Sequence, residues 1–143
     1  MPQSLKRYEN MNILIVEDDS ASYHLITEFL MPFKFNYYRA TNDIETLKLL
    51  FTKRSYHLII IEVKVSSSRN TGIELTKAIK ITFPRIPVIV QTSIINSKKQ
   101  LDSILSQSDC FITKPYNIEY FTKKVLSILD SGLTQIKNNN ENL

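Results

Sequence analysis

The sequence predicts an α/β protein: a five-stranded parallel sheet covered by helices on both faces. Three observations carry this. Short β-rich runs alternate with amphipathic stretches at regular intervals, the pattern of βα units wound into one sheet. Three of those runs are almost continuously apolar, as strands buried on both faces are. The chain of 143 residues also suits one domain with a substantial core, since single domains commonly run to about 100–200 residues.

The strands are expected at NILIV (12–16), FNYYRA (35–40), HLIII (57–61), PVIVQ (87–91) and DCFIT (109–113). Between them, spacing marks the helices. The first starts near Ser20, turns Leu25, Ile26, Phe29 and Leu30 inward, and ends with help from Pro32. Asn42 and Glu45 form a capping-box-like start to the second, with Ile44, Leu47, Leu50 and Phe51 on one stripe. Gly72 opens a third, with Leu75, Ala78 and Ile79 inward, and Pro84 and Pro87 shape the turn that follows. A fourth runs from about Asn96 to Ser106, carrying Leu101, Ile104 and Leu105; a fifth starts at Asn117 with Phe121, Val125, Ile128 and Leu129 facing in. Residues 1–10 are read as a disordered N-terminal extension, with Met11 as an alternative start, and 11–130 as the domain. The polar, Asn-rich tail 131–143 is read as disordered because it buries too little to offset its ordering entropy.

Composition narrows the function classes. Apolar residues make up 43% and charged residues 22%, which is ordinary globular usage. One cysteine, Cys110, rules out an internal disulfide and a Cys-rich metal site, and fits a reducing, cytoplasmic setting. The first ten residues lack the apolar core of a secretory signal, and no run approaches the roughly 20 apolar residues that span a bilayer, so no membrane partner is expected. The net charge of +4 is spread along the chain, with only short basic pairs, among them Lys53-Arg54, Lys98-Lys99 and Lys123-Lys124. Solvated lysines explain it better than a nucleic-acid partner.

In an open parallel sheet, polar function gathers at the carboxyl ends of the strands. Here those ends carry Glu17, Asp18 and Asp19 after strand 1, Glu62 after strand 3, Thr92 and Ser93 after strand 4, and Lys114 followed by Pro115 after strand 5. Carboxylates, a hydroxyl and an ammonium on one rim are the equipment for a hard divalent cation and a phosphoryl group. Singly, each has a bland reading: the acids as helix caps, Thr92 and Ser93 as turn residues, Glu62 and Lys114 as surface charges. Their joint occurrence favours function. Other templates fail, since the chain has only Gly72 and Gly132 for a phosphate loop, and neither GxSxG, CxxC nor HExxH occurs.

In that order and spacing, ILIVEDD, QTS and ITKPY resemble the receiver domain of two-component response regulators over roughly residues 11–130. The resemblance implies a flavodoxin-like (βα)5 three-layer sandwich with strand order 2-1-3-4-5. It implies that Glu17 and Asp18 are the acid pair that binds Mg²⁺, with Asp18 favoured as direct ligand and Asp19 just outside, and that Glu62 occupies the phosphoacceptor position. Thr92 then matches the switch hydroxyl, with Ser93 at the site edge, and Lys114 the lysine that pairs with a phosphoryl oxygen, its bond to Pro115 cis. Phe111 matches the aromatic whose rotamer follows activation.

The stretch HLIIIEVKVSSSRNTG departs from the family. Glu62 stands where the family has aspartate, Ser66 where it has proline, and Gly72 lies two residues further on than the usual glycine. A glutamate carboxylate is carried about 1.5 Å further, one C–C bond, whereas phosphoryl transfer depends on close positioning of the attacking oxygen. Efficient phosphorylation of Glu62 is therefore not expected. Its own charge would mimic a phosphoryl group only in part, with one charge against nearly two. Lys64 either neutralises Glu62 or a member of the acid pair, which leaves Mg²⁺ binding weakened or absent, or points into water.

The expected function is a stand-alone atypical receiver in phosphorelay signalling, a pseudo-receiver and not an enzyme. It would act by docking to signalling proteins such as a histidine kinase, phosphotransfer protein or effector through the fourth predicted helix, fifth strand and fifth helix, with a homodimer as another use of that face. The alternatives are a receiver phosphorylated on a non-standard carboxylate and a Mg²⁺-dependent phosphoryl-transfer enzyme on the same sheet.

Overall fold

The computed structural model describes residues 3–52, 54–65, 70–92, 102, 106, 108–114 and 116–141. Strands β1 (Asn12–Val16), β2 (Asn36–Ala40), β3 (Leu58–Glu62), β6 (Val88–Thr92) and β7 (Cys110–Thr113) form a parallel sheet in the order β2-β1-β3-β6-β7. That is the expected 2-1-3-4-5 order. The numbering skips because the two-residue strands β4 (Lys64–Val65) and β5 (Asn70–Thr71) pair with each other, antiparallel, after β3. The helices are α1 (Ser20–Leu30), α2 (Asp43–Leu50), α3 (Ile73–Thr82) and α4 (Ile118–Glu141). The predicted helix at 96–106 lies outside the described residues except Asp102 and Ser106, both helical.

Alternation along the strands sorts the core into two layers. Ile13, Ile15, Leu58, Ile60, Ile89 and Ile112 pack with Ile26 and Leu30 of α1 and with Phe121, Val125 and Leu129 of α4. Leu14, Val16, Ile59, Ile61, Val88 and Val90 pack on the other face with Leu50 of α2 and Leu75 and Ile79 of α3. Burying each such side chain contributes about 1.5–3 kcal/mol. These two layers fix which way each strand-end residue points.

Helix starts follow local chemistry. Asp19 caps α1 by accepting from Ser22 N, and Asn42 caps α2 by accepting from Glu45 N at 2.8 Å. Glu45 returns the bond to Thr41 N at 2.9 Å, one residue before the cap. At Gly72, which opens α3, φ is +91°, and a Cβ there would stand 3.0 Å from both Glu62 O and Val63 Cγ2. Glycine is the residue that tolerates both demands.

Several expected inward positions prove to be outward. Ile44 and Phe51 of the α2 segment are 67% and 69% exposed, Leu47 lies at the surface, and Leu50 with the fully buried Thr46 takes the inner face. Thr46 is suited to that place because its hydroxyl is satisfied by Asn42 O at 2.8 Å. In the same way Leu25 is exposed on α1, while Thr76 replaces Ala78 on the inner face of α3 with its hydroxyl on Gly72 O.

Both ends also differ from the sequence reading. Gln3–Tyr8 forms a 3-10 helix, and Tyr8 is buried edge-on to Phe33 and Phe35. At the other end α4 continues to Glu141 instead of stopping near 130. The apolar residues Val125, Leu129, Leu133 and Ile136 keep helical spacing through that boundary, and no proline interrupts it.

Candidate functional site

The rim is assembled by carrying the strand alternation one step past the core. Glu17 follows Ile15, Glu62 follows Ile60, Gln91 follows Ile89 and Lys114 follows Ile112, so all four belong to the row facing α1 and α4. The fully buried Thr92 continues the row of Val88 and Val90 toward α2 and α3, and its carbonyl accepts from Lys114 N at 2.8 Å. Phe111 packs against that second layer.

Glu62 and Lys114 meet at the centre. Lys114 Nζ stands 2.8 Å from Glu62 Oε2, with the glutamate side chain only 7% exposed. The approach misses hydrogen-bond directions, so Oε2 has a compensating charge without a directed bond. Burial pushes the Glu62 carboxyl above its ordinary pKa, and Lys114 opposes that shift.

The acid loop is divided among separate tasks. Glu17 is buried, takes the Asp19 N–H on Oε1 at 3.1 Å and leaves Oε2 without a hydrogen bond; burial, with repulsion from Glu62, raises its pKa. Asp18 accepts from Lys64 Nζ at 2.6 Å, and this bond holds its carboxyl below the usual range. Asp19 is spent on the α1 cap, where Ser22 Oγ at 2.8 Å and Ser22 N lower its pKa. Lys64 thus engages the acid pair through Asp18, with its side chain about half exposed. Ser93 and Pro115, and with Pro115 the expected cis bond, lie outside the described residues.

Three further residues shape the site. Arg39, at the end of β2, donates from Nε to Glu17 O at 3.1 Å and from Nη2 to Asp18 O at 3.2 Å, which braces the acid loop from behind. Gln91 is fully buried and accepts from the Tyr116 hydroxyl at 2.7 Å, while Tyr116 stacks on Phe121. Burial, reinforced by the Glu62 and Glu17 charges, lifts the Tyr116 hydroxyl to about 12. The signals were present: an Arg at a strand's carboxyl end, and a Gln in step with core isoleucines.

As placed, these residues do not fit a divalent cation. Mg²⁺ asks for several oxygens at about 2.0–2.1 Å in near-octahedral array. Asp18 and Glu62 each hold an ammonium, Asp19 is turned to its cap, and among the described residues no three His, Cys, Asp or Glu side chains gather as metal ligands. Among the described residues two rim oxygens, Glu17 Oε2 and Glu62 Oε2, are buried without a hydrogen bond, and the second of them faces Lys114.

Comparison with known proteins agrees with this architecture. The family described as "Response regulator receiver domain" matches residues 13–126. The "Osmolarity two-component system protein SSK1" of Saccharomyces cerevisiae is 25% identical over 149 residues, covering 85% of this chain and 21% of that protein. The chain thus spans about a fifth of the length of the first curated relatives it matches. Among solved structures, a two-component response regulator from Clostridium difficile is 26% identical with a TM-score of 0.71, over 85% of this chain and 97% of that one. A receiver domain protein (CheY-like) from Methanospirillum hungatei JF-1, 22% identical, superposes with a TM-score of 0.75 over 89% and 99%. At that identity the likeness speaks for the shared flavodoxin-like fold.

Proposed function

The chain belongs to the response regulator receiver domain family, and from that premise we propose that it is an atypical receiver in which phosphoacceptance at residue 62 is lost or strongly impaired. Output then passes by docking to protein partners of a two-component pathway. The observation that carries this reading is the Glu62–Lys114 ion pair, 2.8 Å long and almost shut off from solvent on the glutamate side. A phosphoryl group entering there must first part the carboxylate from the lysine it already reaches.

The docking surface we assign is the family's usual face, here formed in part by β7 and α4. Lys123 is exposed on α4, and Lys124 lies 5.5 Å over the Tyr120 ring. Lys98 and Lys99 of the same predicted face lie outside the described residues. Cations beside an aromatic suit an acidic protein surface. The reading is tested by incubating the chain with an acyl-phosphate donor and Mg²⁺ and measuring intact mass with fragment mapping. No phosphoryl gain is expected at residue 62; a stoichiometric gain there would overturn it.

A further inference from the structure

We propose that Lys64 is a tethered substitute for the divalent cation of the acid rim, so that the β4–β5 hairpin, and not a metal ion, sets the state of the site. The inference rests on the receiver reading of that rim and adds a cause for its departure from a metal-binding arrangement.

The geometry is specific. Lys64 begins β4, two residues after Glu62, and is paired with Thr71 across the hairpin. The hairpin's base is closely packed, since a Cβ at Gly72 would stand 3.0 Å from both Glu62 O and Val63 Cγ2 and the backbone there has φ of +91°. From there the ammonium crosses to Asp18 Oδ1 at 2.6 Å, joining two loops 46 residues apart. Arg39 fixes the other side of the same loop through the Glu17 and Asp18 carbonyls. Asp18 is thus gripped between a lysine in front and an arginine behind.

Charge counting shows what Lys64 supplies: beside the carboxylates Glu17, Asp18 and Glu62 and the ammonium of Lys114, it brings one further positive charge, half that of a divalent ion, to the Asp18 side of the rim. An entering metal must displace Lys64 and then sit beside its positive charge. The buried, unbonded Glu17 Oε2 marks where a ligand oxygen remains once Lys64 is removed. Because the Lys64–Asp18 pair is about half exposed, its loss changes stability little. Removing the lysine therefore leaves a folded protein in which to look for the cation.

The experiment compares the full chain with Lys64→Met, Lys64→Arg and the double variant Asp18→Asn/Lys64→Met. Mn²⁺ is titrated and followed by paramagnetic broadening of the amides of residues 17–19 and 62–64, with Mg²⁺ calorimetry in parallel and urea midpoints as the folding control. We expect Lys64→Met to bind at least about tenfold more tightly than wild type, a difference of about 1.4 kcal/mol. Lys64→Arg should bind like wild type, and the double variant should lose the gain. Wild type binding as tightly as Lys64→Met, a folded Lys64→Met that gains nothing, or a gain that survives Asp18→Asn would each overturn the proposal. A wild-type chain that binds metal as tightly as Lys64→Met but takes no phosphoryl group would overturn this inference and leave the functional reading standing; phosphorylation of residue 62 in a chain whose affinity for metal rises on Lys64→Met would overturn the functional reading alone.

Discussion

The Tyr8 hydroxyl donates to Asp130 Oδ1 at 2.8 Å, tying the first turn of the chain to the last helix across 122 positions of sequence. Arg7 joins the same carboxylate from Nε at 3.3 Å and reaches the Tyr8 oxygen from Nη2 at 2.7 Å. The ring itself is 1% exposed among Phe33 and Phe35. Tyr8→Phe should therefore lose about 1 kcal/mol, the net worth of one hydrogen bond. Tyr8→Ala should lose about 3–5 kcal/mol, as for other large aromatic truncations in a core. Urea denaturation of both variants measures this, and equal losses would mean that the hydroxyl, not the ring, anchors the terminus.

That anchor shows where sequence reading stops. The sheet was legible because period and composition repeat over whole strands, and the rim residues Glu17, Asp18, Glu62, Thr92 and Lys114 followed from strand ends and family resemblance. Tyr8 stands alone in a polar segment, and one residue has no period. On α2, apolar residues cover more than one stripe, so spacing could not decide between Ile44 with Phe51 and Leu50 with Thr46. The Lys64–Asp18 contact joins two loops distant in sequence. Local pattern offered two carboxylate partners for that lysine, and only the assembled fold selects between them.

A pH effect follows from His57. Its Nδ1 accepts the Asn12 N–H at 2.9 Å, which requires the neutral ring, and burial lowers its pKa from the ordinary 6.5. A depressed folded pKa means the unfolded chain binds the proton first as pH falls. The stabilisation is thus full above about pH 6.5 and is lost as pH drops toward the lowered value, at up to about 1.4 kcal/mol per pH unit. Comparing wild type with His57→Gln in urea between about pH 7.5 and 5.5 isolates the term. The two curves should converge at the acid end.

The central ion pair predicts a pH-dependent penalty. Lys114→Met leaves the Glu62 carboxyl buried without its cation, which costs up to about 3 kcal/mol while the group stays ionised. Glu62 is already raised by burial, and losing Lys114 raises it further. The folded state then binds more protons than the unfolded state, so the variant loses stability as pH rises through that window. The deficit relative to wild type should be smallest at the acid end of the range in which the protein folds and should grow as pH rises. Adding Glu62→Gln should remove most of the pH dependence, and a double-mutant cycle in urea measures it.

The last prediction separates the two departures of the site. Glu62→Asp withdraws the carboxylate by about 1.5 Å, one C–C bond, and reopens space before Lys114. It leaves Lys64 on Asp18, so the cation needed to balance the incoming charge is still kept out. Lys64→Met alone admits the cation but leaves the overlong acceptor. Each single variant should therefore gain little phosphoryl group from an acyl-phosphate donor with Mg²⁺, and the double variant should gain far more than their sum. Intact mass at fixed times reads the result. Full phosphorylation of Glu62→Asp alone would assign the whole block to side-chain length, and none in the double variant would show that neither Glu62 nor Lys64 is what blocks transfer, because both rim obstacles would already have been removed.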